Sequence, residues 1–262
     1  MTILDKITEA KKAEINTLKK RAVVDAFKAT PFFTRNCHSL KEALLDKANS
    51  GIIAEFKQKS PSKGVINETS RVGEVTKGYV NAGATGLSVL TDFDFFGGSL
   101  ENLIVAREAN PEVPILRKDF IIDPVQVYET KACGADVMLL IAACLNKKEL
   151  HRLAAYAKEI GLEVLVEIHD TEDLKKVSPL SDLVGVNNRN LKTFDVDINV
   201  SAQLGKLIPE QFVKISESGI SKASNIFFLK EAGFKGFLIG ETFMKSPDPV
   251  KACKEFIATL TK

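Results

Sequence analysis

No C-x-x-C pair occurs anywhere in the chain. Its four cysteines, Cys37, Cys133, Cys144 and Cys253, lie far apart in sequence. That spacing argues against a structural zinc knuckle or a disulfide framework. Histidine is as sparse: His38, His151 and His169 show no metal-ligand spacing, so no resident metal is expected. Charge of one sign is missing too. The net charge is +2, which gives no general argument for nucleic acid and leaves room for a local cationic pocket. No apolar run is long enough to span a bilayer. The first residues, Met1-Thr2-Ile3-Leu4-Asp5-Lys6, carry charge early and lack an apolar signal core, so a cytoplasmic location is expected. No G-x-G-x-x-G follows the first apolar strand, which removes the main support for a doubly wound dinucleotide-binding sheet.

Against these absences stands a 45% apolar fraction over 262 residues, enough for one sizeable α/β core. The stretch Ile52-Ile53-Ala54-Glu55-Phe56-Lys57 reads as a buried strand whose inner face begins with Ile53 and ends with Glu55 and Lys57. Opposite charges at the end of a buried strand cost desolvation unless they are paired or used. A basic loop follows, Gln58-Lys59-Ser60-Pro61-Ser62-Lys63-Gly64.

A glycine closing a helix and leading into an apolar strand recurs at Gly83, Gly134, Gly161 and Gly233. Four more strands fit between these, at Ile52 to Lys57, Val113 to Lys118, Leu183 to Asn187 and Phe212 to Glu217. Eight strands at helix-sized spacing, several of them continuously apolar, predict a parallel (β/α)8 barrel over residues 49–262. Asp123-Pro124 predicts a helix start. Val250, Cys253, Ile257 and Leu260 predict a final amphipathic helix. Residues 1–48 precede the barrel. There Ile3, Leu4, Ile7, Ile15 and Leu18 fall near helical spacing, which predicts a helical extension packing on the barrel.

Active sites of such barrels lie at the carboxyl ends of the strands. The first, third, fifth and seventh strands end in Glu55 with Lys57, Lys118, Glu167 and Glu217. Asn187, followed by Arg189, ends the sixth, and Gly240-Glu241 the eighth. Each charge taken alone is more often a structural ion pair than a catalyst. Alternate strands share an interior layer, however, so these charges converge on one cavity, which a core built only for stability avoids. Ser218-Gly219 and Gly240-Glu241 fit the usual phosphate loops, with Lys59 and Ser60 adding charge and a hydroxyl. Ordinary turns are the competing reading for each loop. Phe95, Phe96 and Phe120 suggest either a planar apolar ligand or loop packing. His169, near a strand end, is read as a loop histidine before a pocket residue.

Taken together, the blocks Ala54-Glu55-Phe56-Lys57-Gln58-Lys59-Ser60-Pro61-Ser62, Phe96-Gly97-Gly98-Ser99, Arg117-Lys118-Asp119-Phe120, Val166-Glu167-Ile168-His169-Asp170, Asn187-Asn188-Arg189-Asn190-Leu191, Ser216-Glu217-Ser218-Gly219 and Ile239-Gly240-Glu241 give the chain a close resemblance. It resembles the indole-3-glycerol-phosphate synthase family from the N-terminal helix to the end. The resemblance implies a cytoplasmic carboxy-lyase of tryptophan biosynthesis. Its substrate is 1-(2-carboxyphenylamino)-1-deoxyribulose 5-phosphate, and no cofactor, metal, nucleic acid or membrane is implied. A monomer or weak homo-oligomer is expected.

That chemistry suits the residues. Lys118 is the candidate general acid and Lys57 the cation facing the substrate carboxylate, and the two are able to share or exchange acid duties. Glu167 is the candidate base, with Glu55 orienting a lysine. Asn187 and Glu217 are expected on substrate hydroxyls and the anilino region. Arg189, Leu191, Phe96, Phe120 and Leu139 are expected around the aromatic ring. The resemblance further assigns Lys59, Ser218, Gly219, Gly240 and Glu241 to the phosphate. Two departures stand out. Asn190 occupies a position often aspartate in the family, which removes an expected partner of Arg189, and the chain lacks tryptophan for an N-terminal aromatic contact. A Schiff-base aldolase using Lys118 or Lys57 is the rival enzyme reading. A non-catalytic scaffold is a further rival.

Overall fold

The computed structural model describes residues 3–21 and 24–260, so Met1 and Thr2 of the N-terminal reading lie outside the described residues. Eight parallel strands close into a barrel: β1 (Ile52–Phe56), β2 (Gly86–Leu90), β3 (Ile115–Lys118), β4 (Val137–Ile141), β5 (Glu163–Ile168), β6 (Leu183–Asn187), β7 (Val213–Glu217) and β8 (Gly236–Ile239). Each pairs with its sequence neighbours, and β8 closes on β1 through Ile53 opposite Leu238. Side-chain alternation explains why the strands read as continuous apolar runs. Ile53, Leu116, Leu139, Leu165 and Ile215 fill the barrel interior, while Ala54, Leu87, Met138, Val166 and Val184 pack outward under the helices. Gly83, Gly134, Gly161 and Gly233 all have positive φ, between 79° and 99°, as helix-terminating glycines do.

Helices fill the crossovers. The extension holds α1 (Ile3–Arg21), α2 (Val24–Lys28) and α3 (Leu40–Leu45). Around the barrel lie α4 (Val72–Asn81), α5 (Leu100–Ala109), α6 (Pro124–Ala132), α7 (Lys147–Glu159), α8 (Thr171–Leu174), α9 (Asn199–Gly205), α10 (Ala223–Glu231), α11 (Glu241–Met244) and α12 (Pro249–Ala258). Asp123 caps α6 in a capping box with Gln126, and Pro124 occupies its first turn. One crossover helix is short: α8 is a single turn, started by Asp170, whose side chain accepts the Asp173 amide. The final helix stops at Ala258, so Leu260 packs on the core from beyond it.

The extension runs from one end of the barrel to the other. α1 lies at the carboxyl ends of the strands, burying Ile7 and Ile15 and packing Ile3 and Leu4 on the interior cluster. α3 seals the opposite end with Leu40 and Leu44. Ser39 caps α3, and Glu163, at the start of β5, accepts the amides of Leu40 (2.9 Å) and Lys41 (3.0 Å). A carboxylate on a helix N-terminus satisfies orphan donors and the macrodipole together. No helix of the described residues is long and apolar enough to cross a membrane.

Candidate active site

At the carboxyl ends of the strands opens a cleft of about 1220 Å³, counting the space continuous with solvent. Lys118 stands at its centre. Its Nζ lies 2.6 Å from Glu167 Oε2 and 2.8 Å from Glu217 Oε2. Lys57 Nζ lies 3.0 Å from Glu55 Oε1, whose other oxygen accepts the Ser88 hydroxyl at 3.3 Å. Asn187 Nδ2 donates to Glu167 Oε1 at 3.1 Å. Odd-numbered strands therefore deliver Glu55, Lys118, Glu167 and Glu217 to one layer. Two glycines make room for them. A side chain at Gly185 would collide with Glu217 Oε1, and one at Gly240 would lie 2.5 Å from Glu55 Oε1.

The cluster divides protons unevenly. Burial alone lowers the proton affinity of Lys118, but Glu167, Glu217 and Glu55 together raise it well above the ordinary lysine range. Burial pushes Glu167 up, yet Lys118 and then His169 outweigh it and bring the carboxyl down to about 2. For Glu217, burial and the charges of Glu167 and Glu55 exceed the pull of Lys118 and lift it to about 7. Carboxylates flanking one ammonium titrate as a pair, so one stays ionised while the other holds a proton into the neutral range.

Two loops border the cluster. Ser218 and Gly219 have φ of 68° and 77°, a left-handed pair that turns the loop after β7. Asn188 steadies that loop, donating to Ser218 O at 3.0 Å and accepting from Ser201 N at 3.1 Å. Gly240 precedes the short helix α11, and Glu241 turns its side chain toward Arg189 Nη2 at 3.5 Å. Arg189 thus finds in Glu241 the carboxylate that Asn190 does not supply. Asn190 instead accepts the amides of Lys192 and Thr193 within its turn. The apolar wall holds Phe96 and Phe120, with ring centroids 6.0 Å apart, together with Leu139 and Leu191. Ile3, Leu4 and Ile7 of α1 line it where an N-terminal aromatic was absent.

Ser60 lines the cleft, but Lys59 does not. Its ammonium donates to Asp94 O at 3.1 Å, because Lys59 belongs to a two-residue hairpin pairing with Val65. Two residues went unnoticed in the sequence. Phe194 lines the cleft from a loop where it adopts φ of 62°. Lys11 is 3% exposed, and its Nζ lies 3.1 Å from both Asp92 and Asp119, the residue after Lys118. Burial lowers its proton affinity, but Asp119, Glu14 and Asp92 raise it above the ordinary lysine value. The signal was present: Lys11 sits midway between Ile7 and Ile15, on the buried face of α1. Lys11→Ala leaves Asp92 and Asp119 without their shared cation. We expect a loss of about 3 kcal/mol in urea unfolding and a raised KM as α1 loosens. Unchanged values of both remove Lys11 as the anchor.

Ammonium and carboxylate side chains gathered at the carboxyl ends of eight parallel strands define a (β/α)8-barrel enzyme equipped for proton transfer. The profile of the family described as Indole-3-glycerol phosphate synthase matches residues 4–256. An indole-3-glycerol phosphate synthase of Bacteroides thetaiotaomicron is 45% identical over 258 residues, covering 98% of each chain. Its counterpart in Acinetobacter baumannii is 45% identical over 258 residues, covering 96% of this chain and 94% of that one. Among solved structures, 3-hexulose-6-phosphate synthase from Salmonella typhimurium superposes with a TM-score of 0.61 at 13% identity, covering 80% of this chain and 98% of that one, a likeness of fold alone. The chain belongs to the indole-3-glycerol phosphate synthase family.

Proposed function

We propose that the chain catalyses its family's reaction: decarboxylating ring closure and dehydration of 1-(2-carboxyphenylamino)-1-deoxyribulose 5-phosphate to indole-3-glycerol phosphate. The observation that carries the residue roles is Lys118 held as an ammonium between Glu167 and Glu217. In the first step the ring carbon bearing the carboxylate bonds to the ribulose carbonyl carbon. The carbonyl oxygen becomes an alkoxide, a far stronger base than an amine, and takes a proton from Lys118. Lys57 faces the substrate carboxylate and offsets charge until the carbon–carboxylate bond breaks and CO2 departs. The electron pair left behind restores the aromatic ring. The new hydroxyl then leaves as water with a proton from a lysine, and Glu167 removes the remaining proton to complete the indole. Glu55 orients Lys57. Asn187 and Glu217 bind the substrate's hydroxyl and anilino groups.

The phosphate fits the loop amides at Ser218-Gly219 and Gly240-Glu241, the end of the barrel that commonly binds phosphate. Phe96, Phe120, Leu139 and Leu191 frame the planar ring, with Arg189 at its edge. Lys59 contributes from outside the cleft, by holding the loop after β1 against Asp94. A Schiff-base mechanism at Lys118 meets a physical obstacle. A nucleophilic lysine must lose its proton, and three carboxylates hold this one in place.

Adding the anthranilate-derived ribulose phosphate to the purified chain and following indole fluorescence tests the reaction. Product is expected. Its absence with well-folded protein contradicts the proposal. The acid side of the pH profile tests the cluster. Below pH about 7 Glu217 is protonated and Lys118 loses one counter-charge, so kcat/KM falls as pH drops through that value. Glu217→Gln imitates the protonated form and is expected to be slow at every pH, without that limb. A variant that keeps the limb assigns it to another group.

A further inference from the structure

His169 follows β5 by one residue and shares the inner face of that strand with Glu167. It lies behind the catalytic cluster, with a side chain only 13% exposed. Its Nε2 is 3.3 Å from Glu167 Oε1, and its Nδ1 is 3.5 Å from Asp173 Oδ2. Both contacts are at ion-pair distance, and among the described residues neither ring nitrogen makes a hydrogen bond. A neutral imidazole carries one donor and one lone pair. Facing two carboxylates, it must aim that lone pair at an anion. Only the imidazolium offers a proton to both.

The charge balance agrees. Among the described residues, Glu55, Glu167 and Glu217 share the two ammoniums of Lys57 and Lys118, so once Glu217 ionises, above pH about 7, the buried cluster lacks one cation. Asp173 already has Lys176 at 3.1 Å, leaving the charge of His169 for Glu167. Cys144, the nearby thiol, is pushed up to about 12 by burial and stays neutral. Burial disfavours a charged His169, but Asp173, Glu167 and Glu217 outweigh it and raise its proton affinity above the ordinary histidine value.

We propose that His169 is a positioning residue for the reaction: as an imidazolium it holds Glu167 from behind and keeps that carboxylate ionised as the base. This rests on the assignment of Glu167 as base in the proposed reaction. Glu167 lines the cleft and His169 does not, so His169 acts on the reaction through Glu167.

The chain has three histidines, so a long-range 1H–15N spectrum of the whole protein resolves each ring. His169→Asn identifies the signal. At pH 7 both His169 nitrogens are expected to carry protons, with a titration midpoint above ~7 that falls by ~1 pH unit in Glu167→Gln. A singly protonated ring at pH 7, or a midpoint indifferent to Glu167→Gln, overturns the inference. In kinetics, His169→Asn is expected to move the acid limb of kcat/KM up by ~1 pH unit, as the carboxylates lose a cation, with KM nearly constant. His169→Lys restores the charge and returns the limb toward its wild-type position. A His169→Asn enzyme that melts like wild type and keeps the wild-type limb also overturns it. Failure of the reaction proposal reads differently: no indole forms, whatever the protonation of His169.

Discussion

Lys118→Ala is expected to lose kcat by more than ~100-fold, the scale of a missing general acid, while substrate still binds. Everything around this ammonium is arranged for one proton. Glu167 and Glu217 contact it at 2.6 and 2.8 Å, and Glu55 adds a third negative charge nearby. The phosphate loops and the apolar wall do not depend on it, so KM is expected to change far less than kcat. Removing it also leaves two buried carboxylates facing each other. They then retain a proton to higher pH, and the residual activity shifts its acid limb upward. Turnover near wild type, or a loss confined to KM, removes Lys118 from the acid role.

The second large effect concerns stability and lies at the other end of the barrel. Asp136, just before β4, is fully buried and serves four donors. Arg35 reaches it at 2.6 Å, the amides of His38 and Ile115 each at 2.8 Å, and Arg107 through a short ion pair. Arg107 is itself 2% exposed, and burial lowers its proton affinity to about 10 even with Asp136 beside it. Asp136→Ala strands that guanidinium. A loss of about 3–5 kcal/mol is expected in urea unfolding, the usual result of breaking one side of a buried pair. Because Arg35 and His38 lead into α3, the plug at this end is expected to loosen as well. A loss below about 1 kcal/mol contradicts this reading.

These ends of the barrel were unequally legible in the sequence. The strands were readable because a sheet covered on both faces demands unbroken apolar runs, and the glycines closing four of the helices marked where the following strands began. Parity along each strand then placed Glu55, Lys118, Glu167 and Glu217 in one layer. Lys59 was not readable the same way, since its direction depends on a two-residue hairpin rather than on strand alternation. Lys11 was hidden by habit: a lysine on an amphipathic helix usually carries its charge to water, and only Asp92 and Asp119 from distant strands show why this one does not. His169 shares the parity of Glu167, but its second carboxylate, Asp173, comes from the turn of helix that follows. The left-handed backbone of Phe194 leaves no mark in composition at all.

The most direct measurement is a single-turnover experiment with substrate labelled in its carboxylate carbon, counting CO2 against indole. If Lys118 supplies the proton for ring closure, wild type releases one CO2 per indole formed. Lys118→Ala then yields neither on that timescale, and the substrate is recovered intact. Prompt release of labelled CO2 by Lys118→Ala without indole contradicts the account, because it places Lys118 after the ring has closed.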